Sequence, residues 1–382
     1  MDVTAISLLD ILVIISVFLG MTLSVFLLFV KSARSKANIF LALIIFVWAT
    51  ILIPGFLVRA DLLDNFPHIA KFIFYFDFLI GPSMYFYVRA STEEDFKWKP
   101  IYYLHFALFF FELVYNIPLM LLNASDTLSM YWEYIETGIS PHSQLIPLLN
   151  MLHIIGYFGY ACKLVLEYRK HVTNTSSSVD LAYHRWLLTF CILNVFPIFI
   201  FLILSVVGFE IFSKEVTVFC IFFLMISIYT ATLFKPAIFH KFPHLKPQSI
   251  PTIETRQKYE SSNLNETQKE AYLATIKQEM HQHKYYKEPE LTIQQLAKKI
   301  EIPTTYLSQV INEKMGCTFL DFINQYRVEA AKKLLHDSNY DHYSILGIAE
   351  EAGFNSKSAF YSAFKRFTNT TPAKFRKSLI MN

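Results

Sequence analysis

Two patterns of hydrophobic and polar positions divide the chain. Up to residue 234 apolar side chains form long, nearly uncharged runs, whereas beyond residue 264 they recur every three or four positions among charged ones. The first pattern predicts helices that are apolar all round, and the second predicts amphipathic helices with one apolar stripe. Crossing a hydrocarbon layer of ~30 Å takes about 20 apolar residues. Runs of that length occupy 11–30, 39–58, 69–88, 101–122, 145–166, 186–209 and 216–234, so seven spans are expected.

Past residue 290 one pattern is written twice, as LTIQQLAKKIEIPTTYLSQVINEKMG and YSILGIAEEAGFNSKSAFYSAFKRFTN. Thr292, Ile293, Leu296 and Ala297 recur as Ser344, Ile345, Ile348 and Ala349, and Leu307, Ile311 and Gly316 recur as Phe360, Phe364 and Asn369. In each copy a Thr or Ser can cap a short helix, and a small Ala lets a second helix cross closely. The second copy then turns at Gly353, which is free to take positive φ, buries Phe354 as a plug and offers Asn355 as the next cap. Glu301, Ile302 and Pro303 hold these places in the first copy and make a chemically poorer turn. Apolar residues at helical spacing follow: Leu307, Val310 and Ile311 in one copy, Phe360, Ala363, Phe364 and Phe367 in the other. Two helix-turn-helix units in tandem are expected, joined by a helix over 318–336 that carries Arg327, Ala331, Leu334 and Leu335.

Two such units, this joining helix and the closing GFNSKSAFYSAFKRFTNTTPAKFR together form a specific signature, and the tract 291–376 resembles the DNA-binding domain of the AraC/XylS family of bacterial transcription activators. The resemblance implies that both second helices enter successive major grooves of double-stranded DNA. Carried over by position, Thr305, Ser308 and Gln309 would face bases in the first unit, and Lys357, Ser358 and Ser362 in the second. Gln can bond adenine bidentately and Lys can donate to guanine, while Lys314, Lys365 and Arg366 suit phosphates. Arg327 is expected to be a structural clamp. RNA polymerase is an implied partner where such a protein activates. The departures are Glu301, where a turn Gly is common, and Asn369, where Gly usually ends the last helix; Asn tolerates the left-handed conformation.

Composition agrees with this division. The 382 residues are 54% hydrophobic and only 17% charged, with 37 Phe and 22 Tyr, and the charge is crowded into the last third. The net charge of +3 is therefore uninformative as a total. Residues 291–382 hold twelve basic and eight acidic side chains, a modest excess that suits phosphate contact. Orientation follows from Lys and Arg in the short loops. Lys31, Arg34, Lys36, Arg89, Lys97, Lys99, Arg169, Lys170, Arg185, Lys235, Lys241 and Lys246 follow odd-numbered spans, and only Arg59, Lys71 and Lys214 lie on the other side. The chain is thus expected in the bacterial inner (cytoplasmic) membrane as a multi-pass protein, N-terminus outside and DNA reader in the cytoplasm. Asp2 and Asp10, with no basic residue before the first run, argue for an anchor rather than a cleaved signal peptide.

Other chemistry is sparse. Cys162, Cys191, Cys220 and Cys317 have no metal-ligand spacing, and neither disulfide nor metal is expected. No phosphate-cradling Gly loop, nucleophile elbow or helical pair of metal-binding His stands out, so no enzyme and no cofactor is expected. Asp77, His105, Glu112 and His153 lie at membrane depth, where ionisable groups default to a functional reading, here a ligand or proton site among the third to fifth spans. The competing reading is structural hydrogen bonding between helices. Pro54, Pro82, Pro118 and Pro197 are expected to kink their spans.

The expected architecture is all-α: a seven-span transmembrane sensor over 1–234, a Pro-rich linker and connecting helix over 235–290, and an AraC-like reader over 291–382. The connecting helix, capped by Asn265 with Gln268 three residues on, carries the stripe Leu273, Ile276 and Met280; it would transmit or dimerise, or pack on the first DNA-reading unit. The function expected is a one-component regulator that binds DNA in response to a small-molecule or periplasmic signal, with a second copy of the chain as a candidate partner. The alternatives are a transporter or channel with a regulatory helix-turn-helix module, and release of the reader by proteolysis near the linker.

Overall fold

The computed structural model describes residues 7–30, 35–72, 76–93, 96–137, 145–178, 181–206, 210–234 and 264–380. The expected Pro-rich linker over 235–255 lies outside them. In chain order the α-helices are α1 Leu8–Phe29, α2 Lys36–Ile51, α3 Ile53–Arg59, α4 Pro67–Phe72, α5 Ile80–Thr92, α6 Ala107–Tyr115, α7 Ile117–Met120, α8 Ala124–Thr137, α9 Leu145–Thr175, α10 Leu181–Val206, α11 Glu210–Phe234, α12 Glu266–His283, α13 Ile293–Lys299, α14 Thr304–Lys314, α15 Phe319–His336, α16 Ile345–Glu351, α17 Lys357–Thr368 and α18 Pro372–Ile380. Among the described residues there is no strand, only an isolated bridge between Ser176 and Thr292. The contacts divide the chain into two compact units, Met1–Val165 with Arg185–His244, and Leu166–His184 with Leu245–Asn382.

In the first unit α1 starts with a capping box, Ser7 Oγ accepting from the Asp10 amide at 3.2 Å and Asp10 Oδ2 accepting from the Ser7 amide at 3.2 Å. Helix α1 packs on α2 and α11, and α2 also packs on α5. Gly20 allows the first of these contacts, since a Cβ there would lie 2.7 Å from Ala49 Cβ; small residues of this kind let apolar helices approach closely. Ser24 Oγ donates to the Ala42 carbonyl across the same seam at 3.0 Å. Val13, Leu23 and Leu27 are buried, yet Ile11, Ile14, Phe18 and Phe26 on the open side are apolar as well.

Among the described residues three helices are long and apolar enough to cross a membrane: Leu8–Phe29, Lys36–Val58 and Leu149–Thr175. Pro100–Tyr115, Arg185–Phe196 and Val218–Tyr229 are shorter apolar helices. Among the described residues three of the seven expected runs are not single helices, the run 39–58 being divided at Leu52 between α2 and α3. The run 69–88 falls on α4, a 3₁₀ turn Asp77–Leu79 and α5, and the run 101–122 falls on a 3₁₀ helix Pro100–Phe106, α6 and α7. Proline accounts for part of this, because Pro54 and Pro118 sit in the first turns of new helices, where a missing amide costs nothing. Between the fourth and fifth expected runs the chain forms α8 up to Thr137, with Asn123 Oδ1 accepting from the Asp126 amide at 2.8 Å.

In the second unit, helices α12 to α18 form two cores that share one long helix. Phe319, Phe322 and Ile323 of α15 pack with Leu296, Leu307, Val310 and Ile311, whereas Val328, Ala331 and Leu335 pack with Ile348, Phe354, Phe360 and Phe364. The connecting helix α12 belongs to the first core through Ile276 and Met280, so it packs on the first reading unit. Arg327 lies between the two stretches of α15, 1% exposed.

Candidate nucleic-acid interface

Each helix-turn-helix is set by its caps and its turn. Thr292 Oγ1 accepts from the Gln295 amide at 3.2 Å while Gln295 Oε1 accepts from the Thr292 amide at 2.8 Å, and Ser344 Oγ accepts from the Gly347 amide at 3.0 Å. In the second unit Gly353 turns with φ +95° and Phe354 is the buried plug. The next cap is Ser356, not Asn355 as expected: its Oγ accepts from the Ala359 amide at 3.2 Å. Glu301 makes the corresponding turn in the first unit with φ +55°, the left-handed region that costs an L-residue about 1–2 kcal/mol. Asn369 ends α17 in the same region, φ +55°.

These turns leave one face of α14 and one face of α17 open. Thr305 is exposed and Ser308 half-buried on α14; Lys357, Ser358, Ser362, Lys365 and Arg366 are all exposed on α17. Phe367, expected on the apolar face, is instead 37% exposed. Gln309 does not stand open as a base-reading side chain would: it is 5% exposed and its amide donates to Glu313 Oε1 at 3.0 Å. The sequence periodicity explains this, because 309 falls beside the buried positions 307, 310 and 311.

Carboxylates hold several of the cations. Lys314 pairs with Glu266 of α12 at 2.5 Å, and Lys269 of α12 bridges Glu266 at 2.9 Å and Glu313 at 2.8 Å. Lys314 and then Lys269 hold the Glu266 carboxyl down at about 2. Arg366 meets Asp321 in the first turn of α15 as a bidentate pair, Nη1 to Oδ1 at 2.5 Å and Nη2 to Oδ2 at 2.9 Å. None of these carboxylates was singled out from the sequence as a partner.

Arg327 is the clamp expected of it. Its Nε donates to the Tyr286 carbonyl at 2.7 Å, and Nη2 donates to the carbonyls of Glu288 at 2.7 Å and Pro289 at 3.3 Å. Its guanidinium also lies 5.7 Å from the Phe354 ring. Burial pulls it down to about 10, so it stays charged at neutral pH.

The residues expected at membrane depth are only partly brought together. His105 Nδ1 lies 2.8 Å from Tyr157 Oη, and the His153 ring lies 4.7 Å from that of Tyr157. Asp77 Oδ1, Glu112 Oε2 and His153 Nδ1 are buried without a hydrogen-bond partner among the described residues. Asn194, in contrast, is a satisfied interhelical link, its Oδ1 accepting from Trp48 Nε1 at 3.0 Å.

Comparison with known proteins places this geometry. A family model described as a helix-turn-helix domain matches residues 296–378. An uncharacterized response regulatory protein of Staphylococcus epidermidis is 31% identical over 106 residues, 28% of this chain and 39% of that protein. The melibiose operon regulatory protein of Escherichia coli is 33% identical over 87 residues, 23% of this chain and 28% of that protein. An HTH-type transcriptional regulator of Bacillus subtilis is 28% identical over 90 residues, 24% of this chain and 11% of its own. This chain therefore spans well under half the length of these relatives. A solved structure of a protein of unknown function from Listeria innocua, 25% identical, covers 34% of this chain and 97% of its own, with a TM-score of 0.23. With two capped helix pairs strung on one buried-arginine helix and relatives that regulate transcription aligned to them, the C-terminal part of this chain is a helix-turn-helix domain of the AraC type.

Proposed function

We propose that this chain is a membrane-bound transcription regulator whose first 234 residues span the membrane seven times and sense a signal, and whose C-terminal part reads DNA in place from the cytoplasm. One observation carries the DNA reading. Both second helices turn a polar face outward from a shared helix, and the second is strongly basic with Lys357, Lys365 and Arg366. Thr305, Ser308, Lys357, Ser358 and Ser362 are the base-facing set, Lys365 meets a phosphate, and Lys314 and Arg366 reach phosphates only in exchange for Glu266 and Asp321. Gln309 joins them only by exchanging Glu313 for a base, which makes its contribution a difference between two bonds.

The membrane assignment is supported by α1, which is apolar on its open side as well as its buried one. A helix apolar all round needs an apolar surrounding on every side. The buried atoms Asp77 Oδ1, Glu112 Oε2 and His153 Nδ1, without a hydrogen-bond partner among the described residues and with His105 nearby on Tyr157, mark the site we assign to the signal.

The test is chromatin crosslinking and immunoprecipitation with C-terminally tagged, full-length protein recovered from the membrane fraction. Discrete enriched sites are expected. An absence of enrichment, with a soluble C-terminal fragment bound to DNA instead, overturns reading in place.

A further inference from the structure

The second unit contains a short piece that is remote in sequence from the rest of it. Helix α9 ends at Thr175, and Ser176, Ser177 and Ser178, which follow, are all buried. Ser176 pairs with Thr292 in the isolated antiparallel bridge, and the Ser177 amide donates to the Leu291 carbonyl at 3.0 Å. Arg327 completes the seat. Nη1 donates to the Ser177 carbonyl at 2.9 Å and Nη2 to Ser177 Oγ at 3.1 Å. The same guanidinium grips the 286–289 turn before the first helix-turn-helix and lies over Phe354 of the second.

The character of this contact is informative. Three consecutive serines bring no apolar side chain to the seat, so they are held by hydrogen bonds. Each such bond contributes little net free energy when the alternative is water, while a buried donor left without its acceptor is costly. A polar segment held in this way can leave and return, but its departure strips Arg327 of two of its acceptors. Since Arg327 stands between the two cores, its neighbours are the helices whose mutual placement decides whether two grooves can be met at once.

We propose that residues 175–178 are a tethered effector of the DNA reader: seated on Leu291 and Arg327 they hold the two helix-turn-helix units in the DNA-competent arrangement, and their withdrawal through α9 lowers DNA affinity. This rests on the regulator reading above. The segment is covalently continuous with α9, which is apolar and long enough to cross a membrane, so a displacement of that helix along its axis acts on the seat directly.

The experiment uses full-length protein in lipid nanodiscs and, as probes, the DNA fragments recovered with the wild type from chromatin. Ser177→Pro, which removes the amide bonded to Leu291, should weaken binding at least tenfold, and Ser177→Gly, which loses only the Oγ contact, by about two- to fivefold. Ser176→Cys with Thr292→Cys places two thiols across an antiparallel pair, within reach of a disulfide. Its oxidised form should bind at least as tightly as its reduced form, and should restore binding when Ser177→Pro is added. Binding by Ser177→Pro within twofold of wild type, or weaker binding by the oxidised than by the reduced pair, overturns the inference while leaving the regulator reading intact. A wild type that binds none of the recovered fragments overturns the regulator reading and this inference with it.

Discussion

Gly353→Ala tests how the two halves of the reader are locked together. Gly353 sits at φ +95°, and a Cβ there would lie 2.6 Å from the Tyr286 carbonyl oxygen and 2.7 Å from Lys287 Cα. Both obstacles are backbone atoms, so no side chain can swing aside. The conformation alone costs about 1–2 kcal/mol for an L-residue. Relief of the overlap must move the 286–287 turn, whose Tyr286 carbonyl takes the Arg327 Nε bond at 2.7 Å. A hydrogen bond from a charged donor contributes about 1.5–3 kcal/mol, and Ala returns about 0.4–1 kcal/mol by restricting the unfolded chain. The sum is a destabilisation of about 3 kcal/mol, or roughly a hundredfold in the opening equilibrium at 1.4 kcal/mol per tenfold. Hydrogen exchange on the full-length protein reads that opening directly, because buried amides exchange through it. Amides of α16 and α17 should exchange roughly a hundredfold faster in the variant, while Leu346→Ala, at an exposed position of α16, should change them less than about threefold. Protection in Gly353→Ala within threefold of wild type would refute the reasoning.

Four further outcomes are expected. Glu301→Gly should stabilise the first unit by about 0.5 kcal/mol, since release of the left-handed strain exceeds the added chain entropy of Gly; slower exchange in α13 and α14 would register it. Glu266→Gln should free Lys314 for phosphate while Lys269 stays on Glu313, raising DNA affinity at low salt and steepening the log–log salt dependence by up to about 0.9. The Glu266 carboxyl is held at about 2, below its ordinary value, so its pairing is intact above the unfolded value of 4.5 and is lost as the pH falls towards 2; contact of α12 with α14 should loosen over that window in wild type and not in Glu266→Gln. Trp48→Phe removes the donor to Asn194 and should cost about 1 kcal/mol of thermal stability in detergent, and no loss there would remove this bond from the account of the bundle.

Much of the reader was legible in the sequence because its local signals agree with one another. Thr292 and Ser344 cap, Phe354 plugs, Gly353 turns, and the apolar spacings of α14 and α17 fall on the buried face apart from Phe367. Where two neighbours can do the same job the sequence is silent: Asn355 and Ser356 are both good caps, and only the position of the buried plug decides for the second. The left-handed Glu301 was hidden because Glu carries no such preference; its counterpart Gly353 was the available hint. Side-chain pairing between distant stretches was the least legible. The stripe of α12 was visible, and packing on the first reading unit was one of the two roles it offered, but nothing in the local pattern joins Glu266 to Lys314, Asp321 to Arg366, or Ser177 to Arg327. In the first unit hydropathy marked apolar length but not continuity, so the runs at 69–88 and 101–122 emerge as several pieces each.

The bidentate link from Arg366 to Asp321, with Arg327 a turn and a half further along the same helix, has a consequence for operator architecture. Both ties fasten the reading units to one rigid rod instead of to each other through a pliable loop. A DNA duplex turns once every 10–10.5 base pairs, so one inserted pair between the two half-sites rotates the second by roughly 35° out of phase. A hinged reader would absorb that rotation; this one has to distort its own helix packing or the duplex. Its operators should therefore tolerate a changed letter, at about 1–3 kcal/mol each, better than a changed spacing.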